Sequence, residues 1–294
     1  MTIENPLIRC VGRAMQFIQT ELNNDRAPKL KDIASASGLS KYHFHRVYKL
    51  LTGETCQQTV TRLRLAKGAS TLQDPMATIT DAAFKAGYGS SQAFAKALKR
   101  ELSETASELK SDPERLASKV HSLVGSAVPN QEAQQIDLPA TQIEVCSLEP
   151  LEVILIQTTD KYPILAETYG QLVDAVGDAD NIRAILGIPH RDIETYQQDN
   201  FVFDCALLPN SHPVKTRPPL KSVSITGGNY LLIRHIGEDA ELPNTLDKLY
   251  SAALMQSNIL LSDTPCIYHY LDDPEEVVES LCRTHIYLKF DIIK

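Results

Sequence analysis

The stretch KDIASASGLSKYHFHRVYKLL, Lys31 to Leu51, has the pattern of two short helices joined by a tight turn. Gly38 suits a turn that needs a positive φ, and the side chain of Ser40 can cap the helix that follows. Apolar residues then recur at helical spacing along one side, namely Phe44, Val47, Tyr48 and Leu51. The other side carries hydrogen-bonding and basic groups, namely Tyr42, His45, Arg46 and Lys49. The stretch therefore predicts a helix-turn-helix whose second helix has the polar face that major-groove reading requires.

The same pattern recurs about fifty residues later, which argues against an ordinary amphipathic helix with a solvated face. Asp81-Ala82-Ala83 repeats Asp32-Ile33-Ala34 at an offset of 49, and Phe94 repeats Phe44 at an offset of 50. One extra residue therefore lies in the second turn, Gly87–Ser90. The repetition predicts two DNA-reading helices in one chain, the second running from Ser90 to Leu102.

Charge is divided unevenly along the chain, whose formal net charge is -8. Residues 1–120 hold 18 Lys and Arg against 12 Asp and Glu, whereas residues 121–294 hold 11 against 25. A basic segment attracts phosphate groups through counterion release, so the first half predicts double-stranded DNA as its partner. The acidic half, with carboxylates that are solvated by default, would stay away from DNA.

Several classes of protein are disfavoured by what the sequence lacks. No apolar run approaches the ~20 residues of a membrane helix, and the start MTIENPLIRC has no signal-peptide pattern. We therefore expect a cytoplasmic, nucleoid-associated protein with no membrane partner. The six cysteines form no CxxC pair and have no histidine at metal-ligand spacing, so we expect reduced thiols and neither metal nor cofactor. Without a GxSxG, HExxH or phosphate-loop motif, no catalytic residue is predicted.

Two helix-turn-helix units joined by a long helix, Thr55 to about Leu72, resemble the AraC/XylS family of transcription regulators between Leu7 and Lys110. The resemblance rests on DIASASGLSKYHFHRVYK, LTGET, RLRLAKGASTL and ITDAAFKAGYGSSQAFAKALKR, in the family's order and spacing. It implies an all-α domain that reads DNA sequence and works with RNA polymerase. Cys56, Ser103 and Ala106 depart from the family's usual Pro, Gly and Pro, but they lie at helix boundaries away from the reading face.

Carried over to this sequence, the family's reading role falls on the outward side chains of both second helices. The first helix-turn-helix would contribute Lys41, Tyr42, His45 and Arg46, and the second Ser91, Gln92 and Lys96. Lys49 and Lys99, one turn further on, would bind phosphate. Arg46 and Gln92 are the expected base readers, because arginine pairs with guanine and glutamine with adenine. Since alanines flank the second set, the first helix-turn-helix is expected to determine specificity.

Beyond a polar linker at residues 113–137, with a possible short helix at 114–124, the apolar period changes from 3.6 towards 2. Strands are predicted at 142–147, 151–158, 201–208, 221–226, 230–236, 265–271 and 284–290, and helices at 163–176 and 242–255. The order strand, helix, two strands occurs twice, which predicts duplicated β-α-β-β units with both helices on one face of an antiparallel sheet. The chain is thus predicted to be multi-domain, with an all-α domain at 1–112 and an α+β domain at 138–294.

Three passages in this half, NYLLIRHIGED, PCIYHYLDDPEE and RTHIYLKF, resemble the GyrI-like effector-binding domain. The resemblance implies a small-molecule effector, bound in an aromatic cleft between the repeats, that controls DNA binding. The residues expected near this cleft are Tyr268, Tyr270, His285 and Tyr287. Because Tyr268 and His285 stand where the family often has acidic residues, the fixed charge that holds a cationic ligand is missing, and an aromatic or neutral effector is an equal candidate.

Two other functions stay open for the second half. Some GyrI-like proteins are catalytic, so this half could be a small-molecule hydrolase, although the replaced acidic residues argue against it. It could also sequester a small molecule or a partner protein, with DNA binding as a tether. The sequence favours a transcription regulator that is not an enzyme.

Overall fold

The computed structural model describes residues 5–125, 143–159, 165–177, 179–190, 202–210 and 216–293. The chain forms two compact units. The helical unit comprises Ile8–Gly38 and Val47–Gln134, and the sheet unit comprises Met1–Leu7, Leu39–Arg46 and Gln135–Lys294. Most of the predicted linker, from residue 126 onward, lies outside the described residues. No helix in the described ranges is long and apolar enough to cross a membrane.

Within residues 5–125 the chain forms eight helices. They are α1 (Pro6–Asn23), α2 (Leu30–Ser37), α3 (Phe44–Thr52), α4 (Cys56–Thr71), α5 (Ile79–Lys85), α6 (Ser91–Leu102), α7 (Ala106–Ser111) and α8 (Pro113–Gly125). The two predicted helix-turn-helix units are α2–α3 and α5–α6, and α4 is the long helix between them. The possible short helix of the linker is confirmed as α8, whereas α7 was not predicted.

Side-chain capping explains where four of these eight helices begin. Thr55, Thr78 and Thr105 each form a capping box with the residue three positions on, and the Ser90 hydroxyl accepts the amide of Ala93 at the start of α6. The prediction that Ser40 caps α3 is wrong. Helix α3 begins only at Phe44, and the buried Ser40 hydroxyl has no hydrogen-bond partner among the described residues.

The core of the second helix-turn-helix lies where α4, α5 and α6 meet. Phe94 and Leu98 of α6 are fully buried against α4 and α5, together with Leu65, Ala69, Ala82 and Ala83. Gly68 of α4 permits this close approach, because a Cβ there would come 2.6 Å from the Phe94 ring and 2.8 Å from the Ala82 carbonyl oxygen. The small residues of the RLRLAKGASTL stretch therefore determine how close α6 packs to α4.

The described part of residues 143–293 forms two helices and a nine-stranded antiparallel sheet of order β1-β6-β9-β8-β3-β4-β2-β5, with β7 paired to β9. The strands are β1 (Ile143–Leu148), β2 (Leu151–Thr158), β3 (Ile182–Pro189), β4 (Phe203–Pro209), β5 (Lys221–Ile225), β6 (Gly228–Ile236), β7 (Ile259–Leu261), β8 (Ile267–Tyr270) and β9 (Arg283–Ile292). The helices are α9 (Leu165–Val176) and α10 (Leu242–Met255). Strands β3 and β7 were not predicted. The predicted ends at 142, 163–164 and 201 lie outside the described residues.

The duplication is confirmed, because β2-α9-β3-β4 and β6-α10-β8-β9 repeat one order and meet at the β3–β8 pair. The strand that precedes each repeat pairs with the first strand of the other repeat. Strand β1, before the first repeat, pairs with β6, and β5, before the second repeat, pairs with β2. Both helices lie on one face of the sheet. The Tyr169 ring of α9 meets Tyr270, and Thr245 of α10 lies 2.8 Å from His235, whose register places it on the same face. We call this side the helix-covered face and the other side the helix-free face.

Candidate DNA-reading and effector-binding sites

The turn between α5 and α6 is held by Arg64 of α4. Its guanidinium donates to the carbonyl oxygens of Ala86, at 2.8 Å, and Gly87, and lies 4.8 Å from the centroid of the Tyr88 ring. Gly87 has a φ of 72°, and a Cβ there would come 3.2 Å from Arg64 Nη2. The arginine therefore holds the turn from which α6 starts.

An arginine of the preceding helix holds the first turn in the same way. Arg13 Nε of α1 donates to the Ser37 carbonyl oxygen at 3.0 Å. Gly38 has a φ of 75°, and a Cβ there would come 2.8 Å from Arg13 Nη2. The sequence analysis missed both arginines. A signal was present, because each lies about two dozen residues before the turn that it holds.

Replacing Arg64 with leucine is expected to lower the free energy of unfolding by about 1–3 kcal/mol, since two turn carbonyls lose their charged donor. Thermal or urea unfolding followed by circular dichroism measures the change. The matched control is Arg9→Leu at an exposed position on α1. An equal loss in both variants would contradict the role of Arg64 in the turn.

The outward stripe of α6 is exposed and polar. Gln92, Lys96 and Lys99 are exposed and Ser91 is partly so, whereas Phe94 on the opposite side is fully buried. The four residues predicted to meet DNA from the second helix-turn-helix therefore share one accessible surface. Amide and ammonium groups on such a stripe can donate to base edges and phosphate oxygens.

The first helix-turn-helix differs from the expectation that its polar side faces outward. Lys41 is exposed, and Tyr42, His45 and Lys49 are partly buried. Arg46 is only 4% exposed, because its guanidinium forms an ion pair with the Asp247 carboxylate and donates to the Pro243 carbonyl oxygen at 3.1 Å. The amphipathic pattern places Arg46 on the polar side of the helix but carries no information about what covers that side.

His43, which the sequence analysis did not single out, lies fully buried beside Arg46. Its Nε2 lies 3.0 Å from the Ser262 carbonyl oxygen, and its Nδ1 lies 2.6 Å from the Tyr250 hydroxyl. Because a carbonyl only accepts, Nε2 carries the proton and the Tyr250 hydroxyl donates to Nδ1, as in a neutral imidazole. Burial lowers the pKa of His43 to about 4, although the Ser262 carbonyl acts in the opposite direction.

The strand register separates the four predicted effector residues into two pairs. In the β8–β9 pairing Ile267 lies opposite Tyr287, and Tyr268 lies opposite Ile286. Directly opposed residues share a face, so Tyr268 and Tyr270 lie on the helix-covered face while His285 and Tyr287 lie on the helix-free face. Tyr268 is 2% exposed, and the structure does not bring it together with Tyr287.

The helix-free face carries a cluster of aromatic rings around His285, beside the ion pair of Arg234 and Glu144. The His269 ring lies opposite on β8 at 6.1 Å, and the Tyr287 ring lies 6.4 Å away along the strand. Burial lowers the pKa of both histidines, with His285 adding to the effect on His269 and Arg234 to that on His285. Burial also raises the pKa of the Tyr287 hydroxyl. These three rings are therefore neutral near pH 7, and they offer hydrogen-bonding nitrogens and a hydroxyl.

A buried carboxylate, Asp204 of β4, lies on this same face and was missed by the sequence analysis. It is 7% exposed and accepts hydrogen bonds from Gln157 Nε2 at 2.8 Å and from His190 Nε2 at 2.6 Å. Its register opposite Gln157 and Ile188 places it with His269 on the helix-free face. An aspartate inside the apolar run FDCALLP was the signal, because a charged residue there needs a buried partner.

Two family models match this chain, one in each half. The family model of the GyrI-like small molecule binding domain matches residues 141–291, which is more than half of the chain. The chain belongs to the GyrI-like family. Residues 33–112 of this GyrI-like protein match the model of a helix-turn-helix domain.

Two curated relatives each match about a third of the chain. The probable transcription factor PqrA of Proteus vulgaris is 30% identical over 95 residues, covering 32% of this chain and 78% of PqrA. Right origin-binding protein of Escherichia coli K12 is 30% identical over 98 residues, covering 33% of this chain but only 34% of that protein. A solved structure, the EcmrR C-terminal domain, covers 52% of this chain and 98% of its own at 15% identity and a TM-score of 0.41.

The two family models and the curated relatives confirm the AraC-type assignment and the two-part organisation of the chain. The GyrI-like protein is a DNA-binding transcription regulator with a small-molecule binding domain, and its curated relatives include transcription regulators. All six of its cysteines are free thiols, four of them buried.

Proposed function

We propose that this regulator reads double-stranded DNA through the outward stripe of α6 and binds an uncharged aromatic small molecule on the helix-free face of its sheet. The accessible stripe Ser91, Gln92, Lys96 and Lys99 carries the proposal. It supports a reading role because the side chains converge on one helix face while Arg64 holds the preceding turn. The proposed contacts of the first helix-turn-helix remain Lys41, Tyr42, His45, Arg46 and Lys49.

Base reading by α6 is assigned to Gln92, whose amide can donate to and accept from adenine. Lys96 and Lys99 lie one and two turns further on and are proposed to bind phosphate oxygens. With a second reader in α3, one chain would cover two major-groove faces about 10 base pairs apart. The domain limits proposed for this arrangement are residues 1–112, a linker at 113–137 and residues 138–294.

Alanine at Gln92 and alanine at Lys96 are expected to weaken DNA binding in different ways. Gln92→Ala should cost about 1–3 kcal/mol at one base pair and relax the preference there. Lys96→Ala should weaken binding on every sequence and reduce the salt slope of the binding constant by about 1. Duplexes selected from a random library by the wild-type chain supply the probes for fluorescence anisotropy.

The matched control is Lys221→Ala, which removes one exposed positive charge from β5 of the sheet. It should leave both the affinity and the base preference unchanged. If wild-type protein selects no sequence from the library, sequence-specific DNA reading is excluded. If Lys221→Ala weakens binding as much as Lys96→Ala, the α6 stripe loses its assignment.

The proposed effector class follows from the chemistry of the helix-free face. Tyr287, His269 and His285 are neutral near pH 7. The carboxylates of Asp204 and Glu144 already have donors, so this surface favours ring stacking over capture of a cation. A thermal-shift panel of neutral aromatic compounds and quaternary ammonium compounds, run on the full chain, tests the assignment. Stabilisation by the cations alone would contradict it.

RNA polymerase is the partner we propose for the DNA-bound state, since the curated relatives include transcription factors and activators. A cytoplasmic, nucleoid-associated location follows from a DNA partner. Co-purification of polymerase with the chain on its selected duplex, and not in the absence of DNA, is the expected result.

A further inference from the structure

The segment Leu39–Arg46 belongs to the same compact unit as the sheet and α10. Within this unit Arg46 meets three groups of α10: the Asp247 carboxylate, the Pro243 carbonyl oxygen and the Tyr250 ring, whose centroid lies 5.9 Å from the guanidinium carbon. The Arg46 side chain is 5% exposed and that of Asp247 is 32% exposed. Helix α10 therefore presents a complete binding site for a guanidinium group.

His43 adds a second anchor on the same helix. The Tyr250 hydroxyl donates to its Nδ1, and its Nε2 donates to the Ser262 carbonyl oxygen. Both polar atoms of a fully buried ring are thus satisfied by the sheet unit. His43 and Arg46 lie one helical turn apart. The sheet unit therefore contacts the segment at both ends of that turn.

The acceptors that hold Arg46 are of the same kind as those that DNA offers. A guanidinium pairs with two oxygen or nitrogen acceptors in its plane, which guanine supplies as O6 and N7 and which a phosphate supplies as two oxygens. In this structure a carboxylate oxygen and a main-chain carbonyl oxygen occupy that role. Arg46 cannot pair with α10 and with DNA at the same time.

We infer that α10 is a docking surface for the segment Leu39–Arg46 and that Asp247 competes with DNA for Arg46. The inference rests on the proposed function, since it assumes that Arg46 reads DNA once it is released. In the docked state the α6 stripe is the accessible reader. In the released state both helices read, and the affinity for DNA is higher.

The same segment also reaches the side chains of the helix-free face. The Tyr42 ring lies 5.8 Å from the ring of His190, and His190 bonds to Asp204 on that face. A ligand that draws Asp204 or Gln157 towards itself would remove the hydrogen bond that orients His190. This route gives effector binding a physical means of loosening the docked segment.

The test compares Asp247→Asn with Asp174→Asn in the full chain. Both variants remove one carboxylate from a helix of the sheet unit, but Asp174 is an exposed residue of α9. Asparagine at 247 leaves a buried guanidinium without its counter-charge, which favours release of the segment. Asp247→Asn is expected to bind the selected duplex at least ~10-fold more tightly than wild type, whereas Asp174→Asn should match wild type.

Two further measurements make the result specific. Adding Arg46→Ala to Asp247→Asn should abolish the gain in affinity, because the gain depends on the released arginine. Modification by an arginine-selective dicarbonyl reagent, read by mass spectrometry, should label Arg46 faster in Asp247→Asn than in wild type. Equal affinities of wild type and Asp247→Asn for the duplex would overturn the inference, and so would equal Arg46 labelling or a gain that persists without Arg46.

The binding and labelling results distinguish failure of the Asp247 competition from failure of DNA reading. If no variant selects any DNA sequence, the DNA-reading proposal fails, and Arg46 labelling still reports whether Asp247 holds the segment. If wild type and Asp247→Asn bind the same duplex equally well, the DNA-reading proposal stands and the competition is excluded.

Discussion

Alanine at Gly68 is expected to lower the free energy of unfolding by about 1–3 kcal/mol, although alanine is the better helix former. The added Cβ would lie 2.6 Å from the Phe94 ring and 2.8 Å from both the Ala82 carbonyl oxygen and the Ala86 Cβ. Ala82 belongs to α5 and Ala86 follows that helix directly, and the close packing of α5 on α4 cannot give way cheaply. Since Phe94 anchors α6, the variant should also lose affinity for the selected duplex.

Gly12 of α1 provides the matched control for this prediction. It also lies inside a helix, and nothing stands within 4 Å of a Cβ added there. Gly12→Ala should therefore raise the free energy of unfolding by about 0.5–1 kcal/mol, the gain in helix propensity alone. Thermal unfolding by circular dichroism distinguishes the two variants by sign. A stabilised Gly68→Ala variant would show that the contact between α4 and α6 is loose.

The second large effect is a loss of stability as pH falls from about 6.5 to about 4, caused by His43. Burial lowers the pKa of His43 in the folded chain to about 4, so the unfolded chain takes up the proton first. The folded state is therefore fully favoured above pH 6.5 and loses stability on acidification until pH 4. The full loss amounts to about 3 kcal/mol, at roughly 1.4 kcal/mol for each pH unit in the window.

His43→Gln removes this titration while keeping one donor and one acceptor for Ser262 and Tyr250. The difference in unfolding free energy between wild type and His43→Gln should thus shrink or change sign as pH falls from 6.5 to 4. The control is His121→Gln, at an exposed residue of α8, which should follow the wild-type pH profile. Parallel profiles for wild type and His43→Gln would show that His43 is not buried as a neutral ring.

Local patterns were sufficient to locate most elements, because each depends on neighbours in the chain. Thr78 and Ser90, each at the position before a helical run, cap α5 and α6. Strand β2 and helix α10 have the predicted bounds, since the apolar spacing begins and ends with them. Strand β3 was missed because its apolar run IRAILGIP gives no alternation, and β7 has only three residues.

What the chain determined alone is the two-part plan: a duplicated helix-turn-helix, a duplicated β-α-β-β unit, and the residues that share one side of each helix. Only the tertiary structure decided what covers those sides. Arg46 lies on the polar side of α3, as predicted, but α10 buries its side chain, whereas the outward side chains of α6 stay exposed. The periodicity of a sequence shows which residues share one side of a helix or strand. It does not show which other part of the chain packs against that side.

For the residues predicted near the effector, too, the sequence determined one part of the arrangement and the tertiary structure the other. Alternation along one strand determines which residues share a side, so Tyr268 lies with Tyr270 and His285 lies with Tyr287. Which of the two pairs lies on the helix-covered face depends on the register between β8 and β9. A shift of one residue in this register would move the side chains of one strand to the opposite face. The register, and the burial of Asp204 beside His190, arise from contacts between residues far apart in the chain, so only the folded structure could supply them.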